Sequence, residues 1–273
     1  MSRRTPHLML RPFCLIVLTV CLPATAALAQ TKATAPVTAP LTATPQERAA
    51  ALQSEPLARA AFFNREFERN PADAEAGLAL SDALRALGRY NEAADAAHRV
   101  LLFAPDSYEA LLSAAKGHIG GNNGFYGIDP LQRAIELKPN DWRAYSLLGV
   151  ALDQVKRGDE AWGVWEKGLS LSPNNPAILT NQAMFLSTRG DLPQAELMLK
   201  RALTQPTAGI QVRQNLALIL GLQGKLPEAE RLLRQDLPPD VADANLLWLQ
   251  TALRPSATAN RTWDSLNHTS GGS

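Results

Sequence analysis

Small and large apolar residues recur along this chain with a period of about 34 residues. Two positions of the repeat hold small residues, Ser81, Ala115, Gly149, Ala183 and Ala217 at one and Ala93, Gly127, Ala161, Ala195 and Ala229 at the other. Two more hold mostly large residues, Leu84, His118, Leu152, Leu186 and Leu220 at one and Phe67, Leu101, Ile135, Leu169, Leu203 and Leu237 at the other. Small residues let two helices approach closely, and large ones fill the layer between helix pairs. The pattern predicts a stack of similar helical units.

Prolines mark the ends of these units, because Pro71, Pro105, Pro139 and Pro173 keep the same spacing. Proline ends a helix since it lacks the amide donor and restricts the residue before it. This period is that of the tetratricopeptide repeat, which is a pair of antiparallel helices. We therefore predict an all-α fold over residues 46–254. It should be a right-handed tetratricopeptide-repeat superhelix, or α-solenoid, with about five helix pairs between capping helices.

Three segments are expected to differ from a regular helix pair. Residues 46–70 are interpreted as a helical segment that ends in an unpaired second helix and caps the stack. In the second unit, the run GGNNG at residues 120–124 interrupts the pattern, so the second helix is predicted to be short, about residues 130–137. Residues 240–254 are amphipathic and are predicted to form a helix that covers the open end of the fifth unit.

Residues 1–29 have the layout of a secretory signal peptide. Three arginines accompany an apolar run at residues 13–22, and an A-x-A site at residues 27–29 precedes Gln30. The run is shorter than the about 20 residues that a membrane span needs, which favours cleavage over an uncleaved anchor. Proline and histidine after the arginine pair favour general secretion over the twin-arginine route. We therefore expect an exported, periplasmic protein.

Both cysteines, Cys14 and Cys21, lie in this leader, so cleavage before Gln30 leaves a mature chain without cysteine. The alternative is a lipoprotein that begins at a lipid-modified Cys21 and is associated with the outer membrane. A membrane is expected as a partner only in that case. Residues 30–45, rich in threonine, alanine and proline, are interpreted as a flexible linker, and residues 255–273 as a disordered tail.

Composition and motifs do not indicate an enzyme or a nucleic-acid-binding protein. The chain has 27 basic and 26 acidic residues, a formal net charge of +1, which predicts no nucleic acid as a partner. The histidines, His7, His98, His118 and His268, show no metal-ligand spacing, and His118 falls in a column of packed leucines. The glycine-rich residues 117–127 lack the preceding strand and the lysine of a phosphate loop. We expect no catalytic residue, no metal site and no cofactor.

A protein-binding groove is the expected functional site, because first helices of such units line a concave surface. The candidate residues in this groove are Asn181, Met184, Gln214, Asn215, Arg143 and Asp153. Asn181 and Asn215 occupy the same position in successive units, and a carboxamide can both donate to and accept from the backbone of an extended peptide. The alternative is that the two asparagines share this position by chance or bond the turns of their own helices. Because no lysine occupies the clamp position, capture of a free C-terminus is not expected.

The last two units resemble a known bacterial family. Residues 191–196 (DLPQAE), 212–224 (VRQNLALILGLQG) and 236–239 (DLPP) are similar to the C-terminal part of TadD. TadD is the tetratricopeptide component of the Flp pilus assembly, or tight-adherence secretion, apparatus. The resemblance covers about residues 72–253. It implies an exported protein, often an outer-membrane lipoprotein, that helps assemble this apparatus and binds pilus or secretin components.

Two other functions stay open at the level of sequence. One is a general periplasmic tetratricopeptide module that binds peptides or acts like a chaperone. The more distant one is a regulatory domain of a glycan-processing system, which would need a separate partner enzyme. Neighbouring genes for a pilin, a secretin and a secretion ATPase would favour the pilus interpretation.

Overall fold

The computed structural model describes residues 42–252, which form thirteen α-helices and no strand. In chain order the helices are α1 (Pro45–Leu52), α2 (Pro56–Arg69), α3 (Ala74–Ala86), α4 (Tyr90–Phe103), α5 (Tyr108–Gly120), α6 (Gly124–Leu137), α7 (Trp142–Gln154), α8 (Gly158–Leu171), α9 (Pro176–Thr188), α10 (Leu192–Leu203), α11 (Ile210–Leu222), α12 (Leu226–Asp236) and α13 (Pro239–Ala252). Consecutive helices pack against each other along this whole range, and α3 to α12 form five pairs. The fold is the predicted all-α tetratricopeptide-repeat solenoid.

The predicted signal peptide, most of the predicted linker and the predicted tail lie outside the described residues. None of the helices within residues 42–252 is both long and apolar enough to cross a membrane.

One left-handed residue turns the chain between the two helices of every unit. These residues are Gly88, Asn122, Lys156, Gly190 and Gly224, with φ angles from 58° to 82°. Glycine adopts such angles without the steric cost of a Cβ atom, and asparagine is the next most tolerant residue. The period of the sequence is therefore also a period of backbone conformation.

The second helix of unit two is longer than the sequence suggests. Helix α6 spans Gly124–Leu137, so the predicted short helix at residues 130–137 is wrong. Asn122 takes the left-handed position that Gly88 has in unit one, so the GGNNG run forms the ordinary turn of the repeat. Pro130 is buried inside α6. The carbonyl of Tyr126 therefore lacks its usual helical donor, and α6 continues despite that missing bond.

The N-terminal cap consists of two helices. Helix α1 begins at Pro45, the last residue of the predicted linker, and the hydroxyl of Thr44 caps its N-terminus. A second proline, Pro56, is the first residue of α2. Helix α2 packs on α3 and buries Phe63 and Phe67 completely. The predicted capping helix is therefore present, but it is not unpaired, because α1 packs against it.

The core follows the columns of the sequence. Every unit buries a small residue where its two helices meet, and the alanines of that column, Ala93, Ala161, Ala195 and Ala229, are fully buried. A further column, one turn along the second helices, is buried throughout: Phe63, Ala97, Leu131, Trp165, Leu199 and Leu233. Trp165 is the largest fully buried side chain. Its indole N–H donates to the carbonyl of Ser146 at 3.1 Å, so its one polar group is satisfied.

The first helices of successive units lie close to one another. Helix α3 packs on α5, α5 on α7, α7 on α9, α9 on α11 and α11 on α13. Second helices of successive units show no comparable packing within residues 42–252. The stack therefore curves with its first helices on the inner side, and we call their solvent-facing side the first-helix face. Helix α13 extends this face as the first helix of a sixth unit would.

Candidate functional site

The first-helix face ends in a cleft of about 300 Å³ between the fifth unit and α13. The cleft is lined by Gln214 and Leu218 of α11, Leu233 and Leu237 of α12, and Asn245, Trp248 and Leu249 of α13. Leu233 and Leu249 are buried, whereas 58% of the Trp248 surface is exposed. The cleft therefore combines apolar surface with two carboxamides that can each donate and accept hydrogen bonds.

Helix periodicity brings these residues together. Gln214 and Leu218 are four residues apart and so share one side of α11. Asn245 and Leu249 share one side of α13 in the same way, with Trp248 beside them. Helix α13 starts at Pro239, directly after the chain leaves α12, and it packs on both α11 and α12. Within residues 42–252, α13 is the element that closes this end of the stack, and the cleft lies where it meets α11 and α12.

Three predicted residues lie at this end of the first-helix face. Gln214 lines the cleft, and Asn215 is its half-buried neighbour in α11. The Asn215 carboxamide makes no hydrogen bond within the part of the chain that the structure describes. Met184 is half-buried in α9, the first helix of the preceding unit. Gln214 and Asn215 thus keep polar groups that a bound segment could use.

Asn181 has a different role from Asn215, although both occupy the same repeat position. Its side-chain amide donates to the hydroxyl of Ser146 at 3.1 Å and approaches the Ser146 carbonyl at 3.4 Å. That carbonyl also accepts the bond from Trp165. Asn181 therefore connects unit four to unit three through its amide donor, and only its carboxamide oxygen is left for a ligand.

Arg143 and Asp153 form ion pairs with other residues of the same repeat stack. The Arg143 guanidinium donates to Asp141 at 2.8 Å and to Glu109 at 3.0 Å, and the bond to Asp141 is the main reason that its pKa is raised. Asp153 faces Arg189 at 4.0 Å. Both predicted residues belong to unit three, and neither lines the cleft.

A buried carboxylate joins unit four to unit five. Glu196 of α10 is only 8% exposed, and it accepts bonds from Lys200 at 2.5 Å, Lys225 at 2.7 Å and Gln223 at 2.9 Å. These partners, the two lysines first, lower the pKa of Glu196 to about 2. Lys225 and Gln223 lie at the turn between α11 and α12, so this contact fixes that turn beside α10.

Acid should weaken this contact between units. In the unfolded chain the Glu196 carboxyl takes up a proton near pH 4.5, whereas in the folded chain it does so only near pH 2. The stabilisation is therefore complete above about pH 4.5 and lost as the pH falls towards 2. Urea unfolding between pH 5 and 2 should show a loss on the order of 2 kcal/mol larger in the wild type than in Glu196→Gln. Equal losses in the two proteins would show that Glu196 makes no such contribution.

Two histidines that are far apart in the sequence meet in the structure. The Nε2 atoms of His98 in α4 and His118 in α5 are 2.9 Å apart. Burial, and then the neighbouring His98, lower the pKa of His118. Their separation along the chain matches no ligand motif, so sequence reasoning missed the pair. Within residues 42–252, no three His, Cys, Asp or Glu side chains converge to hold a metal ion.

Comparisons with known proteins identify the repeat and the fold. A tetratricopeptide-repeat family profile matches residues 210–237, which are α11 and α12 of unit five. No curated protein matches the sequence. A thermophilic tetratricopeptide protein of Thermus thermophilus is 21% identical, with a TM-score of 0.59 over 65% of this chain and 99% of its own.

Two further solved structures have the same architecture. A tetratricopeptide protein of Parabacteroides merdae is 14% identical, with a TM-score of 0.65 over 77% of this chain and 86% of its own. The Cut9–Hcn1 hetero-tetramer of the APC/C is 18% identical, with a TM-score of 0.59 over 77% of this chain and 41% of its own. At these identities the likeness shows the fold alone.

Proposed function

We propose that this chain is a non-enzymatic protein-binding scaffold that assists assembly of a Flp/Tad-type pilus or secretion apparatus in the bacterial envelope. The cleft between α11, α12 and α13 is the observation that carries the binding part of this proposal. The pilus part is supported by the resemblance of residues 191–239 to TadD, and the envelope part by the leader pattern of residues 1–29.

An extended segment of the partner would run along the first-helix face of units four and five. The Gln214 and Asn215 carboxamides would bond its backbone, and one large apolar side chain would enter the cleft beside Trp248. The backbone of such a segment loses hydrogen bonds to water on binding, and hydrogen bonds to the carboxamides replace them at little net cost in free energy. The proposed partners are pilus or secretin components that have an exposed apolar segment.

A general periplasmic peptide-binding or chaperone-like module is the second candidate. It is favoured by the uncharged lining of the cleft, which would accept apolar segments of many proteins. The two candidates differ in the number of partners: a pilus scaffold should retain one or a few envelope proteins, whereas a chaperone-like module should retain many.

The double variant Gln214→Ala, Asn215→Ala tests the proposed binding mode. Each lost bond is worth about 0.5–1.5 kcal/mol, so the pair should weaken partner binding by about tenfold or more. Gln235→Ala is the matched control, because Gln235 is an exposed residue of α12 outside the cleft. The readouts are the amount of pilin and secretin that co-purifies with the chain from membranes, and the number of surface pili. Normal binding and piliation in a well-folded double variant would remove these residues from the site.

Export has its own test, which is independent of the groove. Sequencing the N-terminus of the mature protein should find Gln30 first, as expected from the A-x-A site before it. A lipidated Cys21 as the first residue would place the protein on a membrane. An intact Met1 would contradict export and with it the envelope function.

A further inference from the structure

The contact between units one and two contains a departure from the repeat pattern that packing does not explain. The large-residue column on the first helices holds Leu84, Leu152, Leu186 and Leu220, but His118 in unit two. A half-buried imidazole stabilises this layer less than leucine does, because it must lose part of its hydration. The residue that faces His118 from the preceding helix is also a histidine, His98. The one departure from the leucine column therefore lies opposite a second imidazole.

Two packed helices hold the imidazoles close together, with their ring planes tilted at 50° to each other. His98 lies in the middle of α4 and His118 near the end of α5, and these helices pack closely along their lengths. The ring centroids are 5.2 Å apart and the Nε2 atoms 2.9 Å apart, so both nitrogens point into the same small gap. At this distance one imidazole can donate its N–H to the other, and a metal ion would take the place of that proton.

The surroundings of the gap suit a cation. Asp95 lies one helical turn before His98 on α4 and is exposed, and its negative charge partly offsets the lowering of the His118 pKa by burial and by His98. The ring of Tyr126 in α6 lies 5.7 Å from the His118 ring and covers one side of the pair. His98 itself is exposed, so an ion can reach the gap from solvent.

We propose that His98 and His118 form a binding site for one divalent transition-metal ion of the class that prefers imidazole, such as Cu²⁺ or Zn²⁺. Metal–nitrogen distances of about 2.0–2.1 Å place two tetrahedral imidazole ligands about 3.3 Å apart. The gap would have to open by only about 0.4 Å, which side-chain rotation of the exposed His98 can supply. Water completes the coordination, so the site is an open one.

Metal titration of the untagged chain from Gln30 onward, which contains no cysteine, tests this site. Cu²⁺ or Zn²⁺ should bind with a stoichiometry of one per chain and raise the melting temperature, with Cu²⁺ the tighter of the two. Mg²⁺, which prefers oxygen ligands, should do neither. The key variant is His118→Leu, because leucine is the residue at this position in the other four units. It should fold at least as stably as the wild type and lose the metal-dependent rise in melting temperature.

Two further variants separate this site from metal binding elsewhere on the chain. His98→Gln should lose metal binding as His118→Leu does, because both imidazoles are needed. His268→Gln, which changes a histidine outside the described residues, should bind as the wild type does. Binding that survives in both His98→Gln and His118→Leu would overturn the proposal, as would failure of both Cu²⁺ and Zn²⁺ to bind the wild-type chain.

Discussion

Replacing Trp165 with alanine should lower the free energy of unfolding by about 3–5 kcal/mol. Trp165 is only 1% exposed and packs edge-on against Phe185 of the next unit at a centroid distance of 5.6 Å. Its removal leaves a cavity where units three and four meet, and it leaves the Ser146 carbonyl without its indole donor. Urea unfolding followed by circular dichroism measures the loss.

Trp248→Ala is the control for this prediction. The same side chain is deleted there, but Trp248 is 58% exposed on the last helix. The cost to stability should be about 1 kcal/mol or less, because little buried surface is lost. Similar losses in the two variants would show that Trp165 does not hold the two units together. The Trp248 variant should instead bind the partner more weakly, because its indole forms one wall of the cleft.

Two glycine-to-alanine substitutions in unit three should have opposite effects. Gly149 of α7 lies directly under the indole of Trp165, so an added methyl group would overlap Nε1 and the neighbouring ring carbons. The ring cannot move away, because it is buried and bonded to Ser146. Gly149→Ala should cost about 1–3 kcal/mol. A methyl group added at Gly163 of α8 would meet no atom within 4 Å. Gly163→Ala should therefore stabilise the helix by about 0.5–1 kcal/mol.

A double variant isolates the cause of the Gly149 effect. In the Trp165→Ala background the added methyl group no longer meets an indole, so Gly149→Ala should cost almost nothing beyond the loss from Trp165→Ala itself. The measurement is the coupling free energy from the four unfolding curves. If Gly149→Ala costs the same in both backgrounds, the close approach of α7 and α8 at this point is not what the glycine provides.

The sequence alone was sufficient for the repeat architecture, because one period encodes both the packing and the turn of every unit. Ala195 and Ala229 are fully buried where small residues were expected, and Leu199 and Leu233 are buried beside them. These positions repeat because every unit makes the same contact with its neighbour. A local sequence pattern is therefore enough to predict the repeat fold, without knowledge of contacts between residues that are distant in the chain.

In unit two, repeat position predicts the structure better than residue type does. The GGNNG run suggested a broken helix, yet Asn122 falls one full repeat after Gly88 and can adopt the same left-handed angle. Pro130 suggested a helix start, yet it lies inside α6. Both features reflect the local preferences of particular residue types, and the packing of the second helix outweighs these preferences.

The functional site was only partly predictable. Repeat position puts Gln214 on the first-helix face, where the cleft opens, but it cannot separate Asn181 from Asn215. Asn181 is bonded because Ser146 lies opposite it in the previous unit, and that depends on the identity of one residue. The cleft itself depends on which side chains α13 presents beside α11 and α12, and these side chains lie beyond the five repeated pairs. The His98–His118 pair likewise required the packing of α4 on α5 to be known.

Photo-cross-linking from the cleft is the most direct test of whether this chain binds a protein segment there. The photoreactive residue p-benzoylphenylalanine would replace Trp248 in the cleft or, as a control, the exposed Gln235 of α12. The chain would be produced in the organism that encodes it and irradiated in intact cells, and its adducts would be mapped by mass spectrometry. We expect adducts from position 248 to one stretch of a pilus-assembly partner, and no adducts from position 235. Equal adduct yields from both positions, or no adduct from position 248, would contradict this expectation.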